Sequence, residues 1–222
     1  NKMAKGFDPR PSNCVSYNNG NYTVTLSLAD GTMIRYSKDD KLVPSFPDSM
    51  DIKITNSCSL NCRYCHEKSI KHGQHGDILS DSFIDKLHPY TQLALGGGNV
   101  LEHPDFVPFL KKCKKLKLVP SVTVNQIHFM RNHKFLKQLI DEKLIYGLGI
   151  SFHHPDKNFL PMLRSFPNAV IHTIAGVTKE RDYEFLVDNG LKILILGYKK
   201  FGRGIQAYQE SHQHIDDSIM NL

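Results

Sequence analysis

The 222-residue sequence predicts an α/β fold in which six β/α units on a parallel sheet follow an N-terminal β-hairpin extension. Three observations carry that expectation. From Met50 onward, short apolar β-branched runs alternate with longer stretches of helical period. Before Met50, residues alternate apolar and polar about an Asp-Gly turn. Three of the five cysteines then fall within eight residues, Cys58 to Cys65, just beyond the first of the six runs. That is the strand end at which sites in such folds lie.

In chain order, Tyr22, Val24, Leu26 and Leu28 alternate with polar neighbours, Asp30-Gly31 turns the chain, and Met33, Ile34 and Tyr36 resume. Pro44 and Pro47 mark a linker, which closes an extension over residues 1–49. The six runs are MDIKIT (50–55), QLALGG (92–97), SVTVNQI (121–127), GLGISF (147–152), AVIHTIAG (169–176) and KILILG (192–197). Helix candidates separate them. DSFIDKLHPY opens on a capping Asp81 or Ser82, and DFVPFLKKCKKLK sets Phe106, Leu110, Cys113 and Leu116 on one face. NHKFLKQLIDEK, NFLPMLRSF and ERDYEFLVDNG follow, the last closed by Asn189-Gly190. Right-handed crossovers would assemble these units over residues 50–204 into an open doubly wound sheet or a curved partial barrel. Residues 205–222 read as a polar C-terminal tail, with a short helix as one option.

Composition limits the classes of function. About 40% apolar content in 222 residues supports one full-sized domain. No stretch approaches the roughly 18 consecutive apolar residues of a membrane span, and NKMAKGFDPR lacks the apolar core of a signal peptide. The expected location is cytoplasmic, with no membrane partner. An odd, clustered cysteine count does not resemble a secreted disulfide framework. With 28 basic and 22 acidic residues, the formal charge of +6 favours anionic partners only weakly. Lys111, Lys112, Lys114, Lys115 and Lys117 stud one helix candidate, which keeps a nucleic-acid surface open beside the plainer reading of a wet helix face.

The cysteines are spaced C-x3-C-x2-C, as Cys58, Cys62 and Cys65. Four thiolates close a zinc or iron–sulfur site, so three leave one position for a ligand from elsewhere. Two readings follow from spacing alone. One is an open iron–sulfur site. The other is a structural Cys3His zinc module that uses His66, His72 or His75 and turns its positive charge to nucleic acid.

Cys58, Cys62, Tyr64 and Cys65 in this order resemble the cluster loop of the radical S-adenosylmethionine (SAM) enzymes, and the resemblance extends from about Met50 to Gly204. It implies a partial (β/α)6 TIM-like barrel, with the three thiolates holding three irons of a [4Fe–4S] cluster. SAM is then the ligand of the fourth iron. The family's Gly-Gly-Glu turn after the second strand is matched here by Gly97 and Gly98, whereas Asn99 replaces the glutamate and Val100 the proline that often follows. Asn99 keeps an amide oxygen able to accept from the SAM ammonium, without charge assistance.

The resemblance further implies SAM contacts from Asn125 at the end of strand three, Ser151 at the end of strand four, His172 in strand five, and Leu196 and Gly197 after strand six. Gln126 departs from the glycine often found there. His153, assigned to the Ser151 strand face by alternation, and Lys199 are the candidate catalytic or substrate groups. Lys199, Lys200 and Arg203 sit where a substrate carboxylate or phosphate would be met.

The implied activity is oxidoreductase chemistry: a reduced cluster cleaves SAM to methionine and a 5′-deoxyadenosyl radical, which takes hydrogen from a substrate. A donor such as flavodoxin or ferredoxin supplies the electron. Peptide, nucleotide-like and protein substrates all remain open, as does a degenerate barrel that binds SAM without turnover, because of Asn99.

Overall fold

The computed structural model describes residues 13–80 and 82–220; the expected cap at Asp81 and the outer ends of the extension and tail lie outside them. Three antiparallel strands come first, β1 (Cys14–Asn19), β2 (Tyr22–Ser27) and β3 (Met33–Tyr36), in the order β1-β2-β3. The β2–β3 hairpin is the expected one, with Gly31 at φ +78° in its turn. The sequence reading overlooked β1. Its turn into β2 is a two-residue loop, Gly20-Asn21, in which Gly20 holds φ +59° as such tight hairpins require.

Alternation buries Tyr22, Val24 and Leu26 along β2. The following linker is bound back by polar contacts: the Asn19 amide oxygen accepts the N–H groups of Ser45 and Phe46 at 2.8 and 3.2 Å. Arg35 donates to both oxygens of Asp48 at 2.8 Å, and the Tyr22 hydroxyl donates to Asp48 at the same distance. These hydrogen bonds hold the Asp48 carboxyl below its ordinary pKa, with Arg35 the largest cause and burial opposing it.

Six parallel strands follow: β4 (Ser49–Thr55), β5 (Gln92–Gly97), β6 (Val119–Asn125), β7 (Gly147–Ser151), β8 (Val170–Ile174) and β9 (Ile193–Leu196). They pair in chain order from β4 to β9. A doubly wound sheet reverses direction at a switch point; this order never reverses, so each crossover advances the same way around a curved wall. The partial barrel is therefore the architecture. Ile54, Leu93, Leu95, Val122, Val124, Leu148, Ile150 and Ile171 point outward into one apolar core with the surrounding helices.

The helices are α1 (Phe106–Lys115), α2 (Gln126–Asp141), α3 (Phe159–Leu163), α4 (Glu180–Asp188) and α5 (Arg203–Met220). Two expectations need correction. The stretch after the cysteines forms only a 3₁₀ turn, Phe83–Lys86, with no side-chain cap from Ser82. The His88-Pro89 pair soon follows, and the residue before a proline is disfavoured in helix. Gln126 and Ile127 begin α2 instead of ending a strand, because Asn125 caps the helix by accepting the Ile127 N–H at 2.9 Å. The tail forms α5, which kinks at Ser211. Among the described residues no helix is long and apolar enough to cross a membrane.

Candidate functional site at the C-terminal strand ends

The β4–β5 connection carries the cysteines without an α-helix of its own, so its shape comes from backbone bonds and borrowed partners. Cys58 N–H donates to Ile70 O at 2.8 Å, Ile70 N–H to Asn56 O at 3.1 Å, and Gly76 N–H to Ile54 O at 2.8 Å, folding residues 54–76 back on themselves. Asn61 and Lys68 take left-handed φ values of +49° and +51° on either side of Cys62 and Cys65. All three sulfurs are half-buried free thiols. Burial pushes the Cys58 and Cys62 thiols above their ordinary pKa, so they are protonated near neutrality until a metal displaces the proton.

The glycine turn explains part of this arrangement. Gly98 N–H donates to Thr55 O at 2.8 Å and Asn99 N–H to Ser57 O at 2.7 Å. A Cβ on Gly97 would stand 2.2 Å from Thr55 O, and one on Gly98 2.2 Å from Ser57 O. Glycine is needed at both positions for backbone to meet backbone under the cysteine loop. The side of Gly96 is open, as is that of Gly197 beyond β9.

A second clamp comes from far along the chain. Arg203 donates Nε–H to Cys62 O at 2.9 Å and Nη1–H to Ser69 O at 3.1 Å, while its backbone N–H reaches Cys65 O at 3.0 Å. Its guanidinium is thereby committed to the loop, in place of the substrate contact suggested by its position in the sequence. Lys200 lies over the Tyr208 ring at 3.6 Å, and Lys199 is exposed. Tyr64 meets Tyr198 edge to face, with ring centres 6.4 Å apart.

Strand register brings together three of the polar candidates. Asn125 pairs with Ser151, Ser151 with His172, and His172 with Leu194, one row across β6 to β9 on the concave face. Leu196, beside Ile174 two residues further on, is exposed. A Cβ on Gly149 would stand 2.5 Å from the His172 ring and 2.8 Å from Thr123 Oγ1, so Gly149 leaves the room in which that ring sits. Burial lowers the His172 pKa and keeps it neutral near pH 7. Along this face Ala94, Gly96, Ser121, Thr123, Gly147 and Gly149 are small, which opens the lumen.

His153 does not join the row by alternation. The strand ends at Ser151, and His153 is an exposed loop residue whose N–H is held by Gln126 Oε1 at 2.8 Å. Gln126, fully buried, also donates to His154 O at 2.9 Å; the departure from glycine has become a loop anchor.

Sequence reasoning missed His128, Glu102 and Lys53. His128 is buried in α2 with Nε2 3.7 Å from Cys58 Sγ. Glu102 accepts from Ser57 Oγ at 2.7 Å and from the Asn99 amide at 3.1 Å. Lys53 is ion-paired with Glu67, which also meets His66 at 3.2 Å. A helix-face reading of QIHFMR would have placed His128 on the inward side had α2 been started at Gln126.

Among the described residues, no three His, Cys, Asp or Glu side chains lie close enough together to hold one metal ion. His75 is hydrogen-bonded to Thr55 Oγ1 at 2.9 Å and His66 to Glu67, so two of the histidines available to a zinc module have other partners. Three half-buried thiols on one loop, a backbone cradle and an open, small-residue lumen fit an iron–sulfur cluster with a bound organic ligand.

Comparison with known proteins agrees with this fit. The family model described as "Radical SAM superfamily" matches residues 52–202. None of the curated protein sequences compared with this chain matches it. Among solved structures, Streptococcus suis SuiB bound to S-adenosylmethionine aligns over 95% of this chain and 69% of its own, at 12% identity and a TM-score of 0.53. SuiB bound to the precursor peptide SuiA aligns over 94% and 69%, again at 12% identity, with a TM-score of 0.55. At that identity the likeness is one of fold.

Proposed function

This chain belongs to the radical SAM superfamily of enzymes, and we propose from that premise that Cys58, Cys62 and Cys65 ligate a [4Fe–4S] cluster whose open iron is taken by SAM. The observation that carries the reading is the cysteine loop itself, pinned from two directions with its three thiols free. When bound, the cluster and SAM supply one-electron cleavage of a carbon–sulfur bond to give a 5′-deoxyadenosyl radical.

The chain's own residues orient and enclose. Gly97 and Gly98 bring the β5 turn against the cysteine loop, and Arg203 closes it from the other side. Asn125, Ser151 and neutral His172 offer one row of hydrogen-bonding groups for SAM, while Leu196 and Gly197 form an apolar edge suited to adenine. Tyr64 precedes the third cysteine and meets Tyr198 edge to face. His153 and Lys199 flank the mouth as groups for substrate. We divide the chain accordingly into an extension over residues 1–49, the barrel over 50–204 and a tail over 205–222.

Hydrogen abstraction from a peptide is the reaction we favour. Its support is the SuiB structure solved with a precursor peptide, together with a lumen lined by small residues. An electron donor of the flavodoxin or ferredoxin class completes the scheme.

Anaerobic reconstitution with iron and sulfide, a metal count, dithionite reduction and analysis for 5′-deoxyadenosine on adding SAM test the proposal. About four irons per chain with product formed is the expected result. Zinc at about one per chain with no SAM cleavage would return the loop to a structural knuckle. A four-iron cluster without turnover would instead favour a degenerate SAM-binding barrel.

A further inference from the structure

Behind the cysteine loop lies a set of hydrogen bonds that holding a cluster does not by itself require. His128, 4% exposed, faces Cys58 Sγ with Nε2 at 3.7 Å and Asn99 Nδ2 with Nδ1 at 3.3 Å. Asn99 Nδ2 also reaches Glu102 Oε1 at 3.1 Å, and Asn99 Oδ1 accepts the Leu101 N–H at 3.3 Å. Glu102 Oε2 in turn accepts from the hydroxyl of Ser57, the residue before Cys58, at 2.7 Å.

The chemistry of the partners fixes the direction of each bond. A backbone N–H only donates, so the Asn99 atom facing Leu101 is the amide oxygen, and the amino group turns to Glu102 and His128. An amino group only donates as well, which makes Nδ1 of His128 the acceptor. The neutral imidazole then carries its hydrogen on Nε2, the nitrogen that faces the sulfur.

We propose that His128 is a positioning residue that donates its Nε2–H to the sulfur of Cys58 and thereby sets the reduction potential of the cluster bound there. This rests on the cluster reading above. An electron delivered by the flavodoxin- or ferredoxin-class donor adds negative charge that the cysteine sulfurs share. An N–H aimed at one of them stabilises the reduced state more than the oxidised state, and hydrogen bonds to sulfur are an established lever on such potentials.

The same network gives Asn99 a purpose. A carboxylate at position 99 could only accept; it would draw the proton to Nδ1 and turn a lone pair toward the sulfur. Asparagine reverses that polarity. The replacement in the glycine turn and the histidine two residues into α2 are therefore one device.

The test uses the full chain, reconstituted anaerobically and titrated potentiometrically without SAM, with the electron paramagnetic resonance signal of the reduced cluster as readout. In His128→Leu the ratio of reduced to oxidised cluster at a fixed potential should fall about tenfold, which is about 59 mV for one electron. His128→Gln presents an amide N–H at similar reach and should recover most of the shift, which a purely structural role would not predict.

Nitrogen-15 NMR of histidine in the cluster-free wild type provides a second arm that does not depend on any variant folding, and should report the Nε2–H tautomer for His128. The inference is overturned by an Nδ1–H tautomer, or by a four-iron wild type whose potential matches that of both variants. A wild type that takes up no four-iron cluster would instead overturn the reading beneath it.

Discussion

Along β6, Val122 and Val124 are buried against the helical layer, whereas Ser121, Thr123 and Asn125, one residue away in each case, look half-exposed into the lumen. The contrast repeats on β5, where Leu93 and Leu95 are buried and Ala94 and Gly96 face open space, and on β7, where Leu148 and Ile150 are buried and Gly147 and Ser151 half-exposed. One face of the wall supplies stability through apolar burial. The other keeps its side chains small and polar and contributes room. Substitutions on the two faces should therefore separate folding from cofactor binding, and four experiments probe that separation in decreasing order of expected effect.

Cys62→Ala, at the lumen end, should abolish the brown iron–sulfur chromophore while the chain stays folded; unchanged iron content measured on the purified variant would reject Cys62 as a ligand. Leu95→Ala, on the convex face, should cost about 3 kcal/mol in unfolding free energy by denaturant titration, the usual range for a fully buried leucine. Its iron content per folded chain should stay at the wild-type level, and a selective loss of iron would break the division between faces.

Arg203→Ala removes two side-chain hydrogen bonds to the cysteine loop and should lower global stability by about 1 kcal/mol. Its larger signature should be faster loss of iron to a chelator, since one side chain ties two points of the loop, Cys62 O and Ser69 O, on either side of Cys65. Equal chelation rates in the variant and the wild type would show that the loop's other hydrogen bonds hold it without the Arg203 side chain.

The smallest effect concerns the N-terminal sheet, which is tied to the barrel at Asp48. Because Arg35 depresses the folded-state pKa of this carboxyl, its stabilising contribution is complete above the ordinary aspartate value of about 3.9. It is lost as pH falls through the lower folded value. Thermal melts between about pH 2 and 5 should show wild type losing this increment on acidification and Asp48→Asn lacking it throughout. Parallel pH profiles would mean that the Arg35 contact contributes no net stability.

Much of the architecture was legible because strand and helix periods differ. QLALGG was placed at its observed bounds, and the six apolar runs became the six strands, since a β-branched run between helical stretches has few other ways to bury itself. β1 escaped because CVSYNN is half polar and its pairing partner, not its own pattern, makes it a strand. The first crossover was read as a helix from DSFIDKL, where a nearby Pro and the demands of the cysteine loop left only a 3₁₀ turn.

At the site, the three cysteines stand out by their spacing and Gly97 and Gly98 by the family resemblance, while the contacts of His128 with Cys58 and of Arg203 with the cysteine loop could not be read from the sequence. Both act across distance in sequence, 70 residues from Cys58 and 141 from Cys62. His153 was misassigned to a strand face because the strand stops two residues earlier.

The sequence by itself determined which residue types lie within a few positions of one another, and so it determined the cysteine loop, the glycine turn and the alternation of strands with helices. Tertiary structure decided the curvature, the row formed by Asn125, Ser151 and His172, and the placement of His128 against Cys58. Periodicity and spacing report on local backbone conformation, whereas register, tautomer and side-chain partnership depend on which distant groups the packed wall brings within reach.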